Sequence, residues 1–413
     1  MRRSPAAHDQ YRGRLAVLSG DEVFHEALAA WAARRGRTGA QSWRRVYGRF
    51  LPWEAPYARL VYEGGPSDDA LAAARWCVPD ASPRQIFAVV DLFESRPDGD
   101  EQTVCLPEVG WARFTGPADD AALTTLPSVL ALDPDVEIVR YRPERRCTFR
   151  TRGAQVRYGK VFPDTAGAQL HEDAQGLYRA SARGELGFSV AEPVAWDAER
   201  RVLWQRAVSG EPLLERLSGP GAAALAGRMG EAAGTLVAST VVPAARCDAP
   251  VQCARSRSYA RELGVRVPAL AKEAAGLGED LDALHRQRPG RARPIHGAPH
   301  VNQWLLHGDR LALVDFDRMS IGNPELDVAT FLGELDFEEE LTTPVETIAR
   351  AFIDGYERTA GPLDPALLAA YRAHKRLAKA LRSARALRPD GALRAIRHFA
   401  TARAAWAAIE DVS

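Results

Sequence analysis

The stretch Ile295-His296-Gly297-Ala298-Pro299-His300-Val301-Asn302-Gln303-Trp304-Leu305-Leu306, with Leu311-Ala312-Leu313-Val314-Asp315-Phe316-Asp317 close behind it, decides how the chain is read. An apolar run that ends in Asp-Phe-Asp is expected to be a buried strand delivering carboxylates to its exposed end. The His296-Gly297 pair upstream is expected to turn the chain and hold a loop near that end. Two strand-end carboxylates beside an imidazole and a carboxamide suit a divalent cation carrying phosphate oxygens, because hard cations prefer oxygen ligands. The plainer alternative is that Asp315 and Asp317 simply cap a strand end.

The totals set the frame around this stretch. A chain of 413 residues is expected to hold two or three domains, at about 100–200 residues each. Its hydrophobic content of 46 % is ordinary for a globular protein with a sizeable core. With 54 basic and 54 acidic residues the formal net charge is zero, so there is no global electrostatic footprint for nucleic acid or an anionic membrane. Cys77, Cys105, Cys147, Cys247 and Cys253 are scattered, and the closest pair lacks the spacing of a zinc knuckle or a redox pair. They are expected to be free, buried thiols in a reducing compartment. The start, Met-Arg-Arg-Ser-Pro, is followed by no apolar core of a signal peptide, and no apolar run approaches the roughly 20 residues that span a bilayer. The expectation is a soluble, cytoplasmic protein.

Working outward, three regions are expected. Residues 1–130 are of mixed α+β character: a helix over Asp21–Arg35, strands over 43–50 and 57–63 around a Pro-rich turn, a helix over Asp68–Cys77 and an apolar strand over 85–93. Nothing in this region carries a chemical motif. Residues 131–208 read as strands with one helix: a hairpin over 137–152 turned at Pro143-Glu144-Arg145-Arg146, a strand through Lys160, a helix from Ala168 to Arg183, and two more strands to Val208. From 209 to 413 the pattern is helical, with a break near Pro268, and only the 295–316 stretch interrupts it with strand character.

The order of His296-Gly297, then Gln303, then a strand ending at Asp315 resembles the catalytic and metal loops of aminoglycoside phosphotransferases and related small-molecule kinases, including the maltokinase-like branch. Gly322-Asn323-Pro324-Glu325-Leu326-Asp327-Val328-Ala329 resembles the same family's Gly-Asp-Pro-x-x-Asp-Leu-Ala. By motif the resemblance spans roughly residues 137–330, and it leaves residues 1–130 unmatched. It implies a two-lobed, protein-kinase-like α+β fold with an additional N-terminal α+β region. It also implies ATP and Mg2+ as cofactors and a small-molecule hydroxyl, or a peptide side chain, as the phosphate acceptor.

Site roles follow from the resemblance residue by residue. Lys160 would meet the nucleotide phosphates, with Glu172 fixing its rotamer and Asp173 and Glu185 as rivals for that task. Arg142, Arg145 and Arg146 lie in the turn that covers the phosphates in kinase-like folds; guanidinium matches phosphate geometry, though a charged turn needs no such role. The segment 203–210, with Gln205 and Ala207, would be the purine-contacting hinge. Asp315 would be the principal metal ligand and Asp317 a second. Gln303 would offer its carbonyl oxygen, with the neighbouring Asn302 as a substitute. His296 would brace the loop, and Asp327 would anchor it by hydrogen bonds to its backbone while starting a helix. A cationic acceptor would prefer an acidic stretch such as 336–340, although most such runs are solvated helix faces.

One position departs from the family. Ala298 stands where the resembling kinases have the carboxylate that accepts or orients the hydroxyl proton. Three readings follow: a replacement by construction that traps a substrate complex, a natural nucleotide-binding pseudokinase or scaffold, and a kinase slowed by loss of its base. Phosphoryl transfer rests mostly on positioning and charge, so metal and lysine can retain a residual rate.

Overall fold

The computed structural model describes residues 17–18, 20–36, 42–50, 55–65, 86–100, 103–132, 136–151, 155–335 and 341–407. The expected helix over 68–77, most of the Pro-rich turn after residue 50, and the acidic run 336–340 lie outside them. The chain forms two compact units: 1–165 with 197–202 and 385–392, and 166–196 with 203–384 and 393–413.

The first unit begins with helix α1 (Glu22–Arg34), which buries Phe24, Leu28, Trp31 and Ala32 along one face, as its helical spacing requires. Five antiparallel strands take the order β1-β2-β3-β5-β4: β1 (Ser42–Phe50), β2 (Ala58–Gly65), β3 (Ile86–Phe93), β4 (Thr103–Leu106) and β5 (Gly110–Thr115). The apolar run of β3 is buried along almost its whole length, which is why it shows no alternation. The sequence reading foresaw β1–β3 but not the hairpin β4–β5, whose short strand β4 exposes Val104 and Cys105 and buries Thr103. A short helix α2 (Leu126–Leu130) leads to β6 (Glu137–Arg142), β7 (Arg146–Thr151) and β8 (Arg157–Val161), which pair antiparallel in chain order. Leu387, in the 385–392 segment, joins the core of this unit beside Leu60 and Tyr62.

The second unit opens with α3 (Ala166–Ala182) and continues through the neighbouring strands β9 (Pro193–Asp197) and β10 (Val202–Arg206) and a short β11 (Glu211–Pro212). Then comes α4 (Ala222–Ala238), β12 (Arg246–Cys247), α5 (Ala249–Arg266) and α6 (Ala271–Gln287). A 3-10 turn over Pro268–Leu270 parts α5 from α6 at the expected break. Three short strands, β13 (Arg293–Ile295), β14 (Trp304–His307) and β15 (Arg310–Leu313), carry the decisive stretch, and β16 (Ser320–Gly322) follows. Helices α7 (Pro324–Leu335), α8 (Val345–Ala360), α9 (Pro365–Arg385) and α10 (Gly391–Ala407) close the chain. Helices α4 and α8 pack backbone to backbone: a Cβ at Gly230 would lie 2.0 Å from the Phe352 carbonyl oxygen. Trp304, Phe331, Phe352 and Tyr356 fill the core around this pair, and a second core of Ala and Leu joins α5, α6, α9 and α10.

Among the described residues no helix is long and apolar enough to cross a membrane. Cys147, Cys247 and Cys253 are buried, but Cys105 is exposed on β4, which corrects the expectation that the thiols are uniformly buried. The expected strand through Asp315 also ends early: β15 stops at Leu313, and Asp315–Asp317 lie in the loop beyond it.

Candidate active site

Strand β13 feeds the chain into the turn at His296–Ala298, and α7 starts beneath it, with Ile295 packed on Leu326 and Ala329. The backbone N–H groups of His296 and Gly297 donate to the two oxygens of Asp327, at 2.7 and 2.8 Å. Asp327 sits in the first turn of α7 and is buried. This is the anchoring the family resemblance implied. Burial pushes the carboxyl up to about 6, and the two N–H donors pull the other way. At Gly297 φ is +81°, and a Cβ would lie 2.3 Å from the Arg318 carbonyl oxygen, so the turn needs glycine.

His296 braces the turn against the loop after β15. Its Nε2 donates to the Val314 carbonyl oxygen at 3.2 Å, which fixes the tautomer and leaves Nδ1 facing the Ala298 N–H at 3.4 Å. The ring packs on Phe316 with centroids 4.3 Å apart, and Phe316 stacks on Phe188 in turn. Asp315 has φ +68°, a left-handed backbone that costs of order 1–3 kcal/mol in a residue with a Cβ. The Val314 N–H bonded to the Gln303 carbonyl oxygen at 3.1 Å helps to hold this segment.

Gln303 joins the two loops. Its Oε1 accepts the His300 N–H at 2.8 Å, and its Nε2 donates to Asp315 Oδ2 at 3.3 Å. A cation at Asp315 would therefore take the remaining lone pair of Oε1 or draw the carboxamide around. Asp315 and Asp317 are half-buried, Asn302 is exposed, and the Ala298 methyl is buried. Carboxylates and a carboxamide oxygen are hard donors, a set that fits Mg2+.

Beyond Ala298 stands His300, whose Nδ1 lies 3.7 Å from Glu334 Oε1. Burial holds its pKa below the ordinary histidine value; Lys375, Arg318 and Arg382 push the same way and Glu334 opposes them. Lys375 is pushed down to about 8 by burial and by Arg318. Neither His300 nor Lys375 was given a role on sequence grounds.

The remaining predicted residues divide between the units. Lys160 lies on β8 and is 7 % exposed. Arg142, Arg145 and Arg146 occupy the β6–β7 turn, which is closed by an Arg145 N–H to the Arg142 carbonyl. That turn is held within its own unit: Asp120 accepts the Tyr141 hydroxyl and the Glu144 N–H, both at 2.8 Å. Glu144, at φ +61°, pairs with Arg59 at 2.7 Å, and Arg59 is clamped by buried Asp91 at 2.6 Å. Sequence reasoning missed Asp120, Arg59 and Asp91, which stand far from the turn along the chain and in no motif. In the second unit Glu172 is exposed on α3, and Asp173 accepts the Ala244 N–H at 3.3 Å. Gln205 is the penultimate residue of β10 and Ala207 lies just past the strand, both half-buried.

No curated protein sequence matches the chain significantly. Among solved structures, the fold is similar to amicoumacin kinase hAmiN in complex with AMP-PNP, Ca2+ and Ami, with TM-score 0.51, 14 % identity, and coverage of 68 % of this chain and 92 % of that one. Choline kinase LicA from Streptococcus pneumoniae gives TM-score 0.48 at 14 % identity, over 66 % of this chain and 93 % of that one. An aminoglycoside-3'-phosphotransferase of type VIII gives TM-score 0.44 at 24 % identity, over 61 % of this chain and 97 % of that one. At such identities the likeness is one of fold. The sequence profile of the phosphotransferase enzyme family matches residues 148–362, just over half of the chain, and takes in Lys160, the anchored turn and the Asp315 loop. The chain belongs to the phosphotransferase enzyme family.

Proposed function

We propose that the protein binds ATP with Mg2+ and transfers the γ-phosphate to a hydroxyl of a small molecule. The observation that carries this is the joined pair of loops: Asp327 pins the His296–Gly297 backbone, and Gln303 ties that turn to Asp315. In this reading Lys160 meets the phosphates, with Glu172 setting its rotamer, and Arg142, Arg145 and Arg146 cover them. The backbone around Gln205 and Ala207 receives the purine. Asp315, Asp317 and Gln303 hold the magnesium ion, which when bound neutralises charge on the phosphates. Residues 1–130 support the 131–208 lobe, and 209–413 supplies both loops. Arg318, Lys375 and Arg382 near His300 favour an acceptor that carries an anionic group.

The buried methyl of Ala298 favours a second reading, a nucleotide-binding pseudokinase or scaffold without transfer. A methyl group neither accepts nor orients a hydroxyl proton, and loss of a general base costs about 10²–10⁴-fold in rate. Restoring the carboxylate separates the two readings. Under the kinase reading, Ala298→Asp raises acceptor-dependent ADP release by about 10²–10⁴-fold across a panel of anionic, neutral and cationic alcohols. A folded, ATP-binding Ala298→Asp protein that stays silent across that panel supports the scaffold instead.

A further inference from the structure

Cys253 of α5, His285 of α6 and His374 of α9 converge in the interior of the second unit. One ligand atom from each lies within 4.8 Å of the other two, and all three residues are buried. The two Nε2 atoms are 3.0 Å apart. Two nitrogens on one tetrahedral zinc ion, at bonds of about 2.0–2.1 Å, stand roughly 3.3 Å apart, so the rings need only a small splay to share an ion.

We propose that Cys253, His285 and His374 form a zinc site that ties α5, α6 and α9 together. A thiolate with two imidazoles is a borderline-soft donor set that selects zinc over magnesium. The neighbours are those such a site uses. Ser256 Oγ lies 2.5 Å from His374 Nδ1 and orients that ring, as outer partners of metal-bound histidines do. Asp282, paired with Arg257, is hydrogen-bonded to Cys253. When the ion binds, the Cys253 S–H bond breaks and a sulfur–zinc bond forms; Asp282 takes the proton and passes it to water. The chain of polar contacts from Ser256 through His374 ends at His285, whose buried Nδ1 finds no hydrogen-bond partner among the described residues. With three protein ligands, one coordination position is left for water.

The site is independent of the proposed nucleotide loops, and cobalt distinguishes them. The full-length protein is stripped with a chelator, returned to buffer with excess Mg2+, and titrated with Co2+. One cobalt per chain is expected, with a sulfur-to-cobalt charge-transfer band in the near ultraviolet and d–d bands of tetrahedral intensity. Cys253→Ser should abolish the near-ultraviolet band, and Asp315→Asn should leave it unchanged. Zn2+ should raise the Tm of the stripped wild type and not that of Cys253→Ser. Failure of the stripped wild type to bind cobalt stoichiometrically, or a band that survives Cys253→Ser, overturns the proposal without touching the phosphotransferase reading.

Discussion

Two turns of this protein are held in opposite ways. The turn at His296–Ala298 carries its brace within the family motif: Asp327, some thirty residues on, receives both of its leading N–H groups. The β6–β7 turn with Arg142, Arg145 and Arg146 is braced from outside the matched region. Asp120 holds its backbone and Arg59 holds Glu144, whereas the family profile begins only at residue 148. The first turn is therefore held through its backbone, without help from the side chain at 298. The second depends on a region that carries no chemical motif, and this gives residues 1–130 a physical task.

Removing each brace tests the contrast. Asp327→Ala strands two buried N–H groups, at about 1–3 kcal/mol each, so a loss of about 2–5 kcal/mol is expected in urea unfolding. A loss under about 1 kcal/mol would show that the turn stands without its anchor. The pH dependence of the same group is a gentler probe. Because burial raises Asp327 to about 6, its protonated form adds stability that is complete below about pH 4 and lost as pH rises through 6. Asp327→Asn should flatten that slope in wild-type unfolding curves. Asp120→Ala removes the acceptor of four hydrogen bonds in a half-buried setting. About 1–2 kcal/mol is expected, with a several-fold rise in the KM for ATP and little change in kcat. An unchanged KM would separate the β6–β7 turn from the nucleotide. Glu144→Ala should have the smallest effect, below about 1 kcal/mol, because its carboxylate is 58 % exposed.

The legibility of the sequence follows the same division. A long periodic segment such as α9 announced itself because one face is buried, and β1 and β2 were legible as runs around a Pro-rich turn. The proximity of His296, Gln303 and Asp315 was legible because they sit at short spacings in the chain, and hydrogen bonds join the loops that carry them. Strand β15 was read too long because Val314 is apolar, although its N–H pairs with Gln303 in the loop rather than in a ladder. The short hairpin β4–β5 went unseen, since exposed Val104 and Cys105 interrupt its pattern. Asp120, Arg59 and Asp91, like Cys253, His285 and His374, are scattered in the chain and meet only through tertiary packing. No local spacing could have gathered them.

The central proposal is that the protein binds ATP with Mg2+ and that Lys160 and Asp315 both contribute to that binding. Calorimetric titration of ATP with Mg2+ into wild type, Lys160→Ala and Asp315→Ala tests it most directly. The account predicts saturable wild-type binding that falls at least about tenfold in each variant, a loss of roughly 1.4 kcal/mol or more. Equal binding by all three folded proteins, or none by the wild type, would contradict it.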